Sequence, residues 1–147
     1  MGDTMNYKKL AIKELRTYKD LEKSIRLGEK RIKDIEQSGS GKSYSMGLGI
    51  QRSNDNSTED YIIALIEEKE NTAQQIAVNK LKLSVIQAVL HEMTEEEIKI
   101  LKMFYIERKR YHYVQLEQEL YCSHSQVYNK RNAALKKYIL LRFGVEQ

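Results

Sequence analysis

Proline and tryptophan are absent from this 147-residue chain, cysteine occurs once and glycine seven times. Nothing therefore forces a break into a long helix. With 31% charged against 41% hydrophobic residues, the composition suits long exposed helices better than a thick globular core. The lone Cys122 excludes an internal disulfide and a cysteine-based zinc cluster, and fits a reducing cytoplasm. It reads as a small half-buried turn residue rather than a nucleophile. Eighteen successive apolar residues occur nowhere, and no apolar run follows Met1-Gly2-Asp3-Thr4-Met5-Asn6, so neither a membrane span nor a signal peptide is expected. His91, His112 and His124 lack a metal-ligand spacing such as His-Glu-x-x-His, and the carboxylates recur at helical surface intervals rather than as an isolated pair. No enzyme, metal or cofactor is expected.

One motif imitates a phosphate-binding loop. Ser38-Gly39-Ser40-Gly41-Lys42-Ser43 would need a further glycine five positions before Gly41, where Glu36 stands, and a preceding strand, where the pattern is helical. Nucleotide binding is rejected there.

Net charge is only +4, from 25 basic and 21 acidic residues, but it is unevenly spread. Between Arg108 and Arg142, eight basic residues (Arg108, Lys109, Arg110, Lys130, Arg131, Lys136, Lys137, Arg142) face two acidic ones (Glu117, Glu119), a local balance of +6. That end should attract a polyanion.

Periodicity divides the chain into four segments: a first long helix over 1–37, a Gly/Ser/Asn-rich linker over 38–57, a second long helix over 58–93 and a compact end over 94–147. In the first helix Tyr18, Ile25 and Ile32 repeat every seven residues, with Leu21, Gly28 and Ile35 three positions on, a narrow apolar seam. Lys and Glu on its other faces read as a solvated surface. Ser57 or Thr58 can cap the second helix, with Glu59 and Asp60 in its first turn. There Ile62, Lys69, Ile76, Leu83 and Leu90 share one heptad position, and Leu65, Thr72, Asn79, Ile86 and Met93 lie three residues on. Polar breaks at Lys69, Thr72 and Asn79 are of the kind that fixes register and oligomeric state. The linker lets the second helix return beside the first as an antiparallel hairpin. Each seam is too narrow to be a whole core, so Ile62, Leu65, Ile76, Leu83, Ile86 and Leu90 are expected to mediate self-association, with a dimer favoured.

Thr94-Glu95-Glu96-Glu97 is a capping box opening a helix with Ile98, Leu101, Phe104 and Tyr105 on one face. Tyr113, Leu116 and Leu120 mark a second helix of little more than two turns, and Tyr121-Cys122-Ser123 a tight turn. Ser123 and Gln126 form another capping box, starting a helix whose inner face is Val127, Ala134, Leu135 and Tyr138 and which Gly144 stops. The expected class is all-α: a long heptad-patterned helical hairpin plus a carboxy-terminal helix-turn-helix. In that geometry the last helix can enter the major groove. Ser125 and Asn129, followed by His124, suit base edges, whereas Ser123 and Gln126 are accounted for by capping. Arg108, Lys109, Arg110, Lys130, Arg131, Lys136 and Lys137 suit phosphates.

The runs Leu101-Lys-Met-Phe-Tyr-Ile-Glu, Leu116-Glu-Gln-Glu-Leu120, Ser123-His-Ser-Gln-Val-Tyr and Ala133-Ala-Leu-Lys-Lys resemble the carboxy-terminal DNA-binding domain of sigma factors. The whole layout is similar to the RinA and ArpU type regulators of phage and prophage late genes. The specific motifs cover about the last fifty residues. The resemblance implies base reading by His124, Ser125 and Asn129, and a cytoplasmic transcription factor acting on genes for packaging, morphogenesis or lysis, with double-stranded DNA as partner and RNA polymerase as a candidate one. Two features depart from the sigma-like pattern: Glu117 stands where a small residue is usual, so it must point outward or find a partner, and the connection from Arg108 to His112 is about two residues longer. Two other functions fit the same layout. A phage small terminase subunit recognising a packaging site would form a large ring. A coiled-coil adaptor whose basic end binds acidic protein would shift no duplex.

Overall fold

The computed structural model describes residues 5–38, 55–108 and 112–146, and these are helical throughout their regular elements. In chain order they are α1 (Tyr7–Ser38), α2 (Asp55–His91), α3 (Glu95–Leu101), a π-helical turn (Lys102–Ile106), α4 (His112–Leu120) and α5 (His124–Phe143). The fold is all-α, and no described helix is long and apolar enough to cross a membrane. Ser38 still belongs to α1, and α2 starts at Asp55, before the Ser57 or Thr58 cap that the pattern predicts. Extending a formed helix costs little compared with nucleating one, so polar residues without periodicity are carried into it. The rest of the expected linker, including Gly39 to Ser43, lies outside the described residues.

The chain forms two compact units, residues 21–81 and residues 1–20 with 82–147. In the first, α1 and α2 pair antiparallel: Arg31 meets Glu68 in a two-pronged ion pair (2.6 and 2.7 Å), and Glu36 meets Lys69 at 3.2 Å. The Glu68 carboxyl is held below its ordinary value by the hydrogen bond from Arg31. Between the helices Ile25, Ile35 and Ile76 are buried. Asn79, 7% exposed, donates from Nδ2 to Ser24 Oγ (3.1 Å) and accepts from Gln75 Nε2 (3.3 Å), so this break in the seam has its polar atoms satisfied. Gly28 lets the helices approach: a Cβ built there would lie 2.9 Å from both Cγ1 and Cδ1 of Ile76.

The second unit has a true core. Leu15 of α1, Ile86 of α2, Leu101 of α3, Leu116 of α4 and Val127, Leu135 and Tyr138 of α5 are almost or wholly shielded from solvent. Both predicted capping boxes form. Thr94 Oγ1 accepts from the Glu97 amide (3.2 Å) and Glu97 Oε1 from the Thr94 amide (2.9 Å); Ser123 and Gln126 exchange the equivalent bonds at 3.3 and 2.8 Å. α5 ends at Gly144, whose φ of 73° and amide bond to the Leu140 carbonyl (2.8 Å) close the helix.

Between α3 and α4 the structure differs from a simple amphipathic helix. The Glu107 amide donates to the Lys102 carbonyl (2.7 Å), five residues back, which defines the π turn. The wider turn buries Met103, Tyr105 and Ile106 together, while Phe104, expected on the inner face, is only half-buried. One further contact spans 124 residues: the Tyr138 hydroxyl donates to Glu14 Oε2 of α1 (2.8 Å), and Arg142 Nη2 reaches Glu14 Oε1 at 2.8 Å. Burial, and then the Glu14 carboxylate, hold the Tyr138 hydroxyl far above the usual phenol range, so it stays neutral and donating.

Candidate nucleic-acid interface

The capped start of α5 decides what its side chains can do. Because Val127, Ala134, Leu135, Tyr138 and Ile139 are buried, the opposite strip of α5, from Ser125 through Asn129, Asn132 and Lys136, faces solvent at helical spacing. Ser125 Oγ lies 3.3 Å from Ser123 Oγ, and Asn132 Oδ1 accepts from Arg131 Nε (3.3 Å) and Nη2 (3.1 Å). Asn129 is exposed. The strip is neutral and polar at the amino end of α5 and basic further along. Asn132 is a member of it that the sigma-like motif does not include, although counting three residues on from Asn129 finds it.

His124 sits differently. Its ring packs against Tyr113 (centroids 4.9 Å apart) and Tyr128 (4.8 Å), and its Nδ1 lies 3.1 Å from Glu117 Oε1. Glu117, the departure from the sigma-like pattern, therefore has its partner across the turn. Phe104 closes the cluster, with His112 at 4.2 Å and Tyr128 at 5.9 Å, and His112 meets Tyr113 at 5.7 Å. These five rings tie the π turn, α4 and the first turns of α5 together. The His124 side chain is still 55% exposed, so it borders the strip without leading it.

Those of the predicted phosphate contacts that the structure describes fall into three groups. Lys130 and Lys137 turn towards α3, pairing with Glu96 (2.6 Å) and Glu97 (3.0 Å). The bond that Lys130 donates to Glu96 raises the Lys130 pKa. Partial burial pushes the Glu97 carboxyl up, but the Thr94 amide, the Lys137 ammonium and the Thr94 hydroxyl outweigh it and hold the carboxyl below its ordinary value. Arg131 lies over the rings of Tyr128 (4.7 Å) and Phe104 (5.3 Å), its guanidinium oriented by cation–π contact. Lys136 and Arg108 are exposed and have no ion-pair partner among the described residues. Lys109 and Arg110 lie outside the described residues.

Of the residues expected to mediate self-association, Ile76, Ile86 and Leu90 are buried within the chain, Leu65 and Leu83 are half-buried and Ile62 is exposed. Ile63 and Ile66, beside Ile62, are 52% and 50% exposed. No group able to hold a metal ion occurs among the described residues. Comparison with family models, with curated proteins and with solved structures gives no match for this chain.

Proposed function

We propose that the chain is a sequence-specific DNA-binding transcription regulator of the kind that controls phage or prophage late genes. In this reading α4, the turn at 121–123 and α5 act as a helix-turn-helix, and α5 enters the major groove. The observation that carries it is the outward strip Ser125–Asn129–Asn132–Lys136 on a helix whose inner face, Val127, Ala134, Leu135 and Tyr138, is buried in the core. Hydroxyl and amide groups at the amino end of such a helix match base edges, and the cation beyond matches the backbone. Ser125 and Asn129 stand one turn apart, about 5 to 6 Å along the helix, within reach of neighbouring base pairs. Sequencing DNA retained by the protein from its source genome would supply the operator. On that operator, Asn129→Ala should keep helical content and melting temperature and lose about 1 to 3 kcal/mol of discrimination at one base position. Unchanged sequence preference in both Asn129→Ala and Ser125→Ala would sink the assignment.

We infer also that two copies associate through the first turns of α2, where Ile62, Ile63 and Ile66 leave apolar surface outward while the rest of the seam is used inside the chain. Sedimentation should give a dimer at micromolar concentration and a monomer of unchanged helicity for Ile63→Lys/Ile66→Lys. A monomeric unmodified protein would refute this.

A further inference from the structure

We propose that the amino-terminal turns of α1 form a second track for the phosphodiester backbone, so that duplex DNA lying on α5 is gripped by α1 as well. This rests on the DNA-binding reading above and adds a site to it. An open groove of about 640 Å³ is lined by Lys8, Lys9, Lys13 and Arg16 of α1 and by Arg108, with Asp20 the single acidic residue. Lys9, Lys13 and Arg16 recur at helical spacing, so they share one face.

Three observations point to phosphates. First, none of the five cations has an ion-pair partner among the described residues, whereas Lys130, Lys137 and Arg142 are each matched by a carboxylate. Like charges gathered without counter-charge repel one another, and a polyanion relieves that repulsion. Second, the groove runs into the strip on α5: Lys8 also lines a depression of about 320 Å³ with Asn132 and Lys136. Third, the lining suits a charged rod rather than a protein helix. Ile12 is its one large apolar residue and it has no aromatic ring, so the anchors on which protein interfaces depend are missing. From Lys9 to Arg16 the helix rises about 10 Å, enough for about three phosphates of one strand at roughly 3.4 Å each along the duplex axis.

Anisotropy titration of the full chain against a duplex of about three helical turns carrying its operator tests the proposal. Lys9→Gln/Lys13→Gln/Arg16→Gln would be compared with Arg26→Gln/Lys30→Gln/Lys33→Gln, which removes the same charge at the same spacing further along α1. All six residues are exposed, and glutamine suits a helix interior, so circular dichroism should be unchanged. The groove variant should bind at least about tenfold more weakly at 0.1 M salt, its salt slope flattened by about 0.9 for each phosphate that is no longer neutralised, with the control within about twofold of the unmodified protein. Arg108→Gly, which also frees a backbone held at φ 51°, should weaken binding in the same direction. If the unmodified protein binds no duplex, the DNA reading falls and the groove with it. If it binds and the groove variant matches the control, the groove inference alone falls; a groove made for an acidic protein surface would give that result.

Discussion

In residues 21–81 the apolar contact is a line: Ile25, Ile35 and Ile76 are buried, one polar residue, Asn79, sits among them, and exposed ion pairs flank the seam. In residues 1–20 and 82–147 it is a volume, to which every element gives buried side chains, Leu101, Leu116 and Tyr138 among them. Exposed ion pairs contribute little and are screened by salt, so the first unit owes its stability to that narrow seam. The second buries each core side chain from several directions, where removing a methyl group leaves a cavity. Within one chain, α5 is held against a packed core in the second unit, while the first is a two-helix ribbon.

The largest test of this contrast is a charge placed in each unit. Val127 is wholly shielded, and Val127→Asp should cost at least about 3 kcal/mol, melting the carboxy-terminal helices and abolishing all duplex binding. Ile25→Asp should open the ribbon and leave non-specific binding intact. Equal loss of binding in the two variants would mean that the units do not fold separately.

A smaller effect is expected at Gly28. Overpacking costs about 1 to 3 kcal/mol and the gain in helix propensity returns about 1 kcal/mol, so Gly28→Ala should destabilise the ribbon by roughly 1 kcal/mol. Ile76→Val removes Cδ1, one of the two atoms 2.9 Å from the new methyl group, and should be tolerated better in the Gly28→Ala background than alone. Urea melts of the four members of the cycle would show the coupling; additive effects would mean that the two helices stand further apart at Gly28 than an overpacked methyl group requires.

The smallest effect belongs to Glu97, and it has a pH signature. Its folded pKa lies below the value of 4.5 that it takes when free, so its contribution is present above pH 4.5 and fades as pH falls through the folded pKa. Glu97→Gln keeps the capping bond to the Thr94 amide but loses the charge facing Lys137. The variant should be less stable at pH 7 by under about 1 kcal/mol, with the gap closing on acidification. A gap that stays constant down to pH 3 would show that packing, not charge, is the cause.

Sequence pattern carries some of these features and not others, for physical reasons. The seam of α2 is legible because two helices wound together impose a seven-residue period, and Ile76, Asn79, Ile86 and Leu90 are buried on it. Ahead of Tyr18 the same period would place Ala11 and Glu14 inside, yet the wholly buried residues are Ala11 and Leu15. There α1 faces α5 as well as α2, and Glu14 serves Tyr138 and Arg142, a contact across 124 residues that no local pattern encodes. Capping boxes are written in four consecutive residues and are therefore legible. The five-ring cluster is not, because its members reach it from three elements. The basic face of α1 is present in the sequence, but cations on a helix surface look alike until the structure shows which have a carboxylate beside them.

The π turn at Lys102–Ile106 bears on how the chain tolerates changes of length. A π turn accommodates one residue more than an α-helical turn in the same place, so the segment between α3 and α4 stores a spare residue inside hydrogen-bonded structure rather than in a loop. Deleting Lys102 should remove that spare residue, so that the helix closes with ordinary i→i+4 bonds while the register on either side is kept. A one-residue deletion in this turn should thus be absorbed where it falls, whereas the same deletion within α3 or α5 would turn the residues that follow it by about 100°.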